Sequence, residues 1–176
     1  MIDLLRKRRS IRKFNEQVLE AEKIELLKEA VLRAPTSKNS NASQFIFVSD
    51  KPVIEKLANC KLTGASALQT ATLAVVILAD ESKTVAWVED CSIASILLQI
   101  TALSLGLGSC WTQIRGRAHS EQKSSETYVK ETLNIPEEFR VLSIISIGYS
   151  QQSISGRPFT DFDFSRIHSD KYRFQD

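Results

Sequence analysis

"EDCSIASILLQITALSLGLGSCWTQI", residues 89–114, decides the architecture. From Cys91 to Leu107 it carries no charge, yet it is shorter than the roughly 20 residues that span a bilayer and is dotted with Ser92, Ser95, Gln99, Thr101 and Ser104. A helix apolar nearly all round and too short for a membrane belongs in a protein core. Ile93, Leu97, Ile100 and Ser104 share one face, while Ala94, Ser95 and Ala102 let another backbone come close. Asp90 stands where it could cap the helix. Gly106 and Gly108 stop it, and "SCWTQI" follows as a strand. Glycines between a helix and a following strand are the reverse of a dinucleotide fingerprint, which needs a strand first so that pyrophosphate meets a helix N-terminus.

The flanking segments alternate in kind. "LAVVILAD" (73–80) is a β-branched apolar run, the pattern of a strand covered on both faces, and "RVLSIISIGYS" (140–150) repeats it. "QFIFVSD" (44–50) reads as a further strand. Helical spacing of Ile24, Leu27, Val31 and Ala34 predicts a helix that Pro35 ends. Shorter helices are expected at "KPVIEKLA" (51–58) and at "SSETYVKETLNIP" (124–136), the second opening on a serine cap. "TSKNSNAS" (36–43) has neither period and reads as a polar loop. Strands and helices mix without a regular βαβ series, so the expected class is α+β: a mixed central sheet flanked by helices. With no repeat or linker, residues 1–176 form one domain, whose polar and aromatic tail, 151–176, is expected to wrap around something.

The chain start, "LLRKRRSIRKF" (4–14), is strongly basic, but the 176 residues together carry only +2, from 23 basic and 21 acidic side chains. A nucleic-acid binder keeps a lasting basic excess. Here Glu16, Glu20, Glu22 and Glu25 follow at once, so the charge is local and suits a small anion; neither nucleic acid nor membrane is expected as a partner. Cys60, Cys91 and Cys110 form no C-x-x-C pair, which argues against disulfides and zinc and for buried thiols in a reducing cytoplasm; no metal is expected. Met1 leads into charge rather than an apolar leader, which also fits the cytoplasm. Neither His119 nor His168 has a sequence partner that would make it the base of a hydrolase.

Three non-helical places then offer anion or amide donors: Arg8, Arg9, Ser10 and Arg12; the loop "APTSKNS" (34–40); and "GRPF" (156–159). Arginine meets phosphate with a planar fork. Extended backbone would send Arg8, Ser10 and Arg12 to one side and Arg9 to the other.

"RRSIRKF", "APTSKNS", "EDCSIASILLQITALSLGLGSCW", "IGYS" and "GRPF", in that order from about Ile2 to Phe174, resemble the nitroreductase family of FMN-dependent flavoproteins. That resemblance implies a homodimer with two FMN sites, each built from both subunits. Arg8, Arg9, Ser10 and Arg12 would hold the phosphate, ribityl chain and pyrimidine edge, and Arg157 would return to the phosphate. Pro35, Thr36, Ser37 and Asn39 would come from the opposite subunit, and Trp111, Thr112 and Gln113 would line the ring near N5. The tail would lie across the partner. No catalytic acid or base is implied, since the flavin does the chemistry; Arg12 would stabilise its reduced form, an attraction of about 4 kcal/mol at about 4 Å before desolvation.

The implied activity is hydride transfer from NADH or NADPH to flavin N5 and on to a nitroaromatic, quinone or similar small acceptor by a ping-pong mechanism. Dehalogenation, enone reduction and non-catalytic FMN binding on the same fold are the alternatives. The chain departs from the family in having Asn41, Ala42 and Ser43 where Gln-Pro-Trp is common, and Ser155 where a lysine often precedes the tail arginine.

Overall fold

The computed structural model describes residues 1–172; the last four tail positions, Phe174 among them, lie outside the described residues. Helix α1 (Ile2–Lys7) and α2 (Ala21–Leu32) precede strand β1 (Ser43–Val48), α3 (Lys51–Leu57) and β2 (Leu73–Asp80). Then come α4 (Trp87–Ser104), β3 (Gly108–Gln113), α5 (Ser125–Leu133) and β4 (Phe139–Gly148). The architecture is α+β, with the strands in order β1-β2-β4-β3. All three pairings are antiparallel, and the parallel component is confined to one bridge, Ser10 with Ser109, on the outer edge of β3.

The period-two alternation of the central strands splits the core into two layers. Ala74, Val76 and Leu78 of β2 and Ile144 of β4 meet Ile54 and Leu57 of α3 and Val129 of α5. Leu73, Val75, Ile77, Ile145 and Ile147 face the other way, onto Leu27 and Val31 of α2 and Cys91, Leu98 and Ala102 of α4. Both strands are therefore covered on both sides, as their unbroken apolar runs require. Leu142 of β4 is the extra residue of a bulge opposite the Ile77/Leu78 step, so that Ile77 pairs with Ser143 and Leu78 with Val141.

Helix α4 departs from expectation at its start. It begins at Trp87, with Ala86 at the N-cap and no side-chain cap, so Asp90 is not the cap but sits one turn inside. Small residues do bring its backbone close to the sheet: Ser95 is buried, and its hydroxyl lies 3.3 Å from that of Ser143 on β4. The helix is not buried all round in the single chain, because Ile93 and Ile96 each remain 37% exposed. Of the two glycines expected to stop it, Gly106 does so with φ +78, a conformation that suits glycine, while Gly108 already opens β3. Among the described residues no helix is long and apolar enough to cross a membrane.

The basic segment is welded to the sheet. Ile11 N–H donates to the Ser109 carbonyl at 2.9 Å, and Asn15 N–H to the Tyr149 carbonyl at 2.9 Å. Two glycines make that approach possible: a Cβ on Gly108 would stand 2.9 Å from Ile11, and one on Gly148 would stand 3.0 Å from Phe14. We expect Gly108→Ala to cost about 1–2 kcal/mol, overpacking outweighing the backbone-entropy gain. Urea unfolding at fixed protein concentration should show a lower midpoint with unchanged slope.

Candidate functional site

The segment after α1 turns extended at Arg8 (ψ 125), and Arg8 and Arg9 both line one cleft beside the end of α4. Arg9 donates to the Ser155 carbonyl at 2.6 Å. Burial pushes the Cys110 thiol on β3 up, and the charges of Arg12, Arg8 and Lys61 oppose the shift. Lys61 was not visible as a candidate, because "NCKLTG" (59–64) has no motif. Its ammonium donates to the Gln113 carbonyl at 3.4 Å, which places a third cation at the β3 edge.

Beyond the Ser10–Ser109 bridge that edge has no strand neighbour among the described residues. Ser109 presents its carbonyl outward to Ile11, whereas the Ile114 N–H points inward to the Leu142 carbonyl. Alternation along an antiparallel strand therefore turns the N–H groups of Trp111 and Gln113 outward and that of Thr112 toward β4. Trp111 and Gln113 share a face and are joined by an indole N–H to Oε1 hydrogen bond of 2.9 Å. Thr112 is buried with its hydroxyl unpartnered. A cleft of about 190 Å³, lined by Lys7, Arg8, Arg9, Gly106, Ser109 and Gln152 among others, opens where α4 ends and the tail crosses. A separate cavity of about 470 Å³, between α3 and residues 14–19 and 68–72, contains none of the candidates read from the sequence.

The tail crosses the basic segment through backbone. Gln152 Oε1 accepts from the Arg12 and Lys13 N–H groups at 2.7 and 3.1 Å. Gly156 lies so close to α1 that a Cβ there would stand 1.9 Å from the Arg6 carbonyl oxygen. At position 155 the atom in use is the carbonyl, whatever the side chain. Arg157, however, is not gathered with Arg8 and Arg12. Its guanidinium folds back on the Asp161 carbonyl and lies 5.5 Å from the centre of the Phe162 ring.

Pro35, Thr36, Ser37 and Asn39 sit at the other edge of the sheet, in the loop entering β1. Three strand spacings, about 14 Å, separate β1 from β3. The loop is tightly wound: Lys38, Asn39 and Asn41 all have positive φ (49, 55 and 48). For a residue such as Lys38 that conformation costs on the order of 1 kcal/mol and persists only where the surroundings impose it. They do so through hydrogen bonds from Asn41 N–H to Thr36 Oγ1 and from the Asn41 amide to the Asn39 carbonyl. Asp90, 3% exposed, adds its carboxylate from beneath. One chain thus carries the basic segment and the polar loop on opposite edges of the sheet.

The sequence matches the profile of the Nitroreductase family over residues 5–75 and 59–149. The chain belongs to the nitroreductase family. It is 40% identical to an FMN-dependent nitroreductase from Clostridium difficile R20291, whose solved structure superposes with a TM-score of 0.96 over 98% of this chain and 100% of that one. An Archaeoglobus fulgidus protein with the provisional name NADH dehydrogenase/NAD(P)H nitroreductase is 32% identical over 94% of both chains. The NADPH:FMN oxidoreductase of Vibrio harveyi, at 22% identity and a TM-score of 0.83 over 99% of this chain and 79% of its own, shares the fold. In this nitroreductase-family chain the docking of the tail onto α1 is a testable contact. Gly156→Ala should raise the open population of residues 151–160 about tenfold. Limited proteolysis should then cut the tail correspondingly faster while the sheet stays protected.

Proposed function

We propose that this chain is an FMN-dependent NAD(P)H oxidoreductase of the cytoplasm, acting as a homodimer with two shared sites. The observation that carries the reading is the basic segment of Arg8 and Arg12 bridged through Ser10 to the open edge of β3, where Lys61 meets the Gln113 carbonyl and outward amides of Trp111 and Gln113 stand beside a buried, unpartnered Thr112 hydroxyl. That donor set fits a phosphorylated cofactor with a polar ring edge, and the 40% identity to an FMN-dependent nitroreductase supports FMN as that cofactor. FMN, when bound, supplies hydride acceptance from NADH or NADPH and transfer to a nitroaromatic, quinone or similar acceptor in alternating half-reactions.

The chain's own residues bind and orient. Arg8 and Ser10 offer the phosphate a planar cation and a short hydroxyl. Arg12 supplies a fixed positive charge that favours electron uptake beside it. The Gln113 N–H is a preorganised donor on a strand that cannot shift without breaking its ladder with β4. Arg9 lines the cleft beside Arg8 and holds the tail across it through the Ser155 carbonyl.

Thr36, Ser37 and Asn39 lie too far across the sheet to serve the same site in one chain, which supports their contribution from a second protomer. The exposed apolar surface supports that protomer: Ile93 and Ile96 on α4, and Phe159 (71% exposed), Phe164 and Ile167 on a tail with no core of its own. Among the described residues the three cysteines are free and buried, consistent with a reducing compartment.

Purified protein should be yellow, and NADH or NADPH should bleach it without oxygen. Initial rates at varied acceptor should give parallel double-reciprocal lines. Arg8→Ala and Arg12→Ala should each weaken FMN binding about 10–100-fold, the worth of a charge-assisted hydrogen bond. Colourless protein that ignores added FMN, or bound flavin that neither nucleotide bleaches, would overturn the reading.

A further inference from the structure

We propose that Asp90 is the positioning residue that holds the 36–41 loop in its cofactor-competent shape. The inference rests on the reading of that loop as part of a shared FMN site. Asp90 belongs to the first turn of α4, the longest helix, where the macrodipole favours a carboxylate. It is buried, and among the described residues no cationic side chain pairs with it. Its charge is spent on the loop. Oδ1 accepts the Ser37 N–H at 2.9 Å, and Oδ2 accepts the Ser40 hydroxyl at 3.4 Å.

Those two contacts bracket the wound part of the loop. Lys38 and Asn39 lie between them and Asn41 follows directly, so all three positive-φ residues depend on where Ser37 and Ser40 are pinned. The other loop bonds, Asn39 N–H to the Thr36 carbonyl at 3.1 Å, Ser40 N–H to the Ser37 carbonyl at 3.0 Å and those of Asn41 to Thr36 and Asn39, join loop atoms to one another. They shape the turn without tying it to the core. The Asp90 carboxylate makes that tie, and it does so from the helix whose exposed Ile93 and Ile96 lie one and two turns further along. A buried acid that could have capped a helix, and is instead aimed at a strained loop, has a positioning task.

The test compares Asp90→Ala, Asp90→Asn and Asn39→Ala in the full-length protein, with Asp90→Ser replacing the alanine variant if that one does not fold. Serine is too short to reach the Ser37 N–H, whereas asparagine keeps an acceptor for it. Amide exchange in FMN-free protein is read first: Asp90→Ala should speed exchange at residues 37–41 at least tenfold, with β2 and β4 unchanged, and Asp90→Asn should stay within threefold of the parent. FMN binding, read by quenching of flavin fluorescence, should weaken at least tenfold in Asp90→Ala and recover in Asp90→Asn.

Unchanged exchange at 37–41 in Asp90→Ala overturns the inference. So does weakened FMN binding in that variant without faster loop exchange. If Asn39→Ala weakens FMN binding but Asp90→Ala does not, Asp90 has no positioning role and the shared-site reading stands. If neither variant weakens it, the loop is no part of the FMN site and both fall.

Discussion

The close passage of residues 8–14 across the ends of β3 and β4 is the contact on which the rest of the molecule depends. It is a steric bargain: Gly108 and Gly148 give up side chains, and Ile11 and Phe14 take the space, sealing the layer formed by α3 and α5. The backbone bonds to Ser109 and Tyr149 fix the register, and register decides which arginines point where. The tail depends on the same passage, since it lies on the outer side of this segment through Gln152, Ser155 and Gly156.

The second constraint is width. Four strands hold the basic segment and the polar loop apart on opposite edges. The loop is preorganised by strain and by a buried acid from α4; the cations are preorganised by the glycine crossing. Rigid halves that cannot close on one another within a chain are what a site assembled between two chains requires, because binding then costs little reordering.

Much of this was legible in the sequence, for reasons that differ by element. The β-branched runs of β2 and β4 announce strands covered on both faces, and Gly106 announces a helix end, because each signal is local and strong. Asp90 was misjudged because the capping pattern is also local, while its actual partners, Ser37 and Ser40, lie some fifty residues away in the chain. Lys61 carries no motif and earns its place only through the fold. Arg157 was grouped with the other arginines by its place in the order of motifs, but its side chain follows Asp161 and Phe162. The apolar strip at Ile93 and Ile96 reads as ordinary core because composition does not tell a helix covered on every face from one left partly open in the single chain.

The most direct measurement of a site divided between protomers is complementation. Arg8→Ala and Asn39→Ala proteins, each deficient in FMN binding, are mixed under conditions that exchange subunits, and tight FMN sites are counted by titration. In a mixed dimer the intact Arg8 and the intact Asn39 meet in one of the two sites, so tight binding should appear in the mixture at one site per mixed dimer. A mixture that exchanges subunits yet binds FMN no better than its two parents would contradict the shared site.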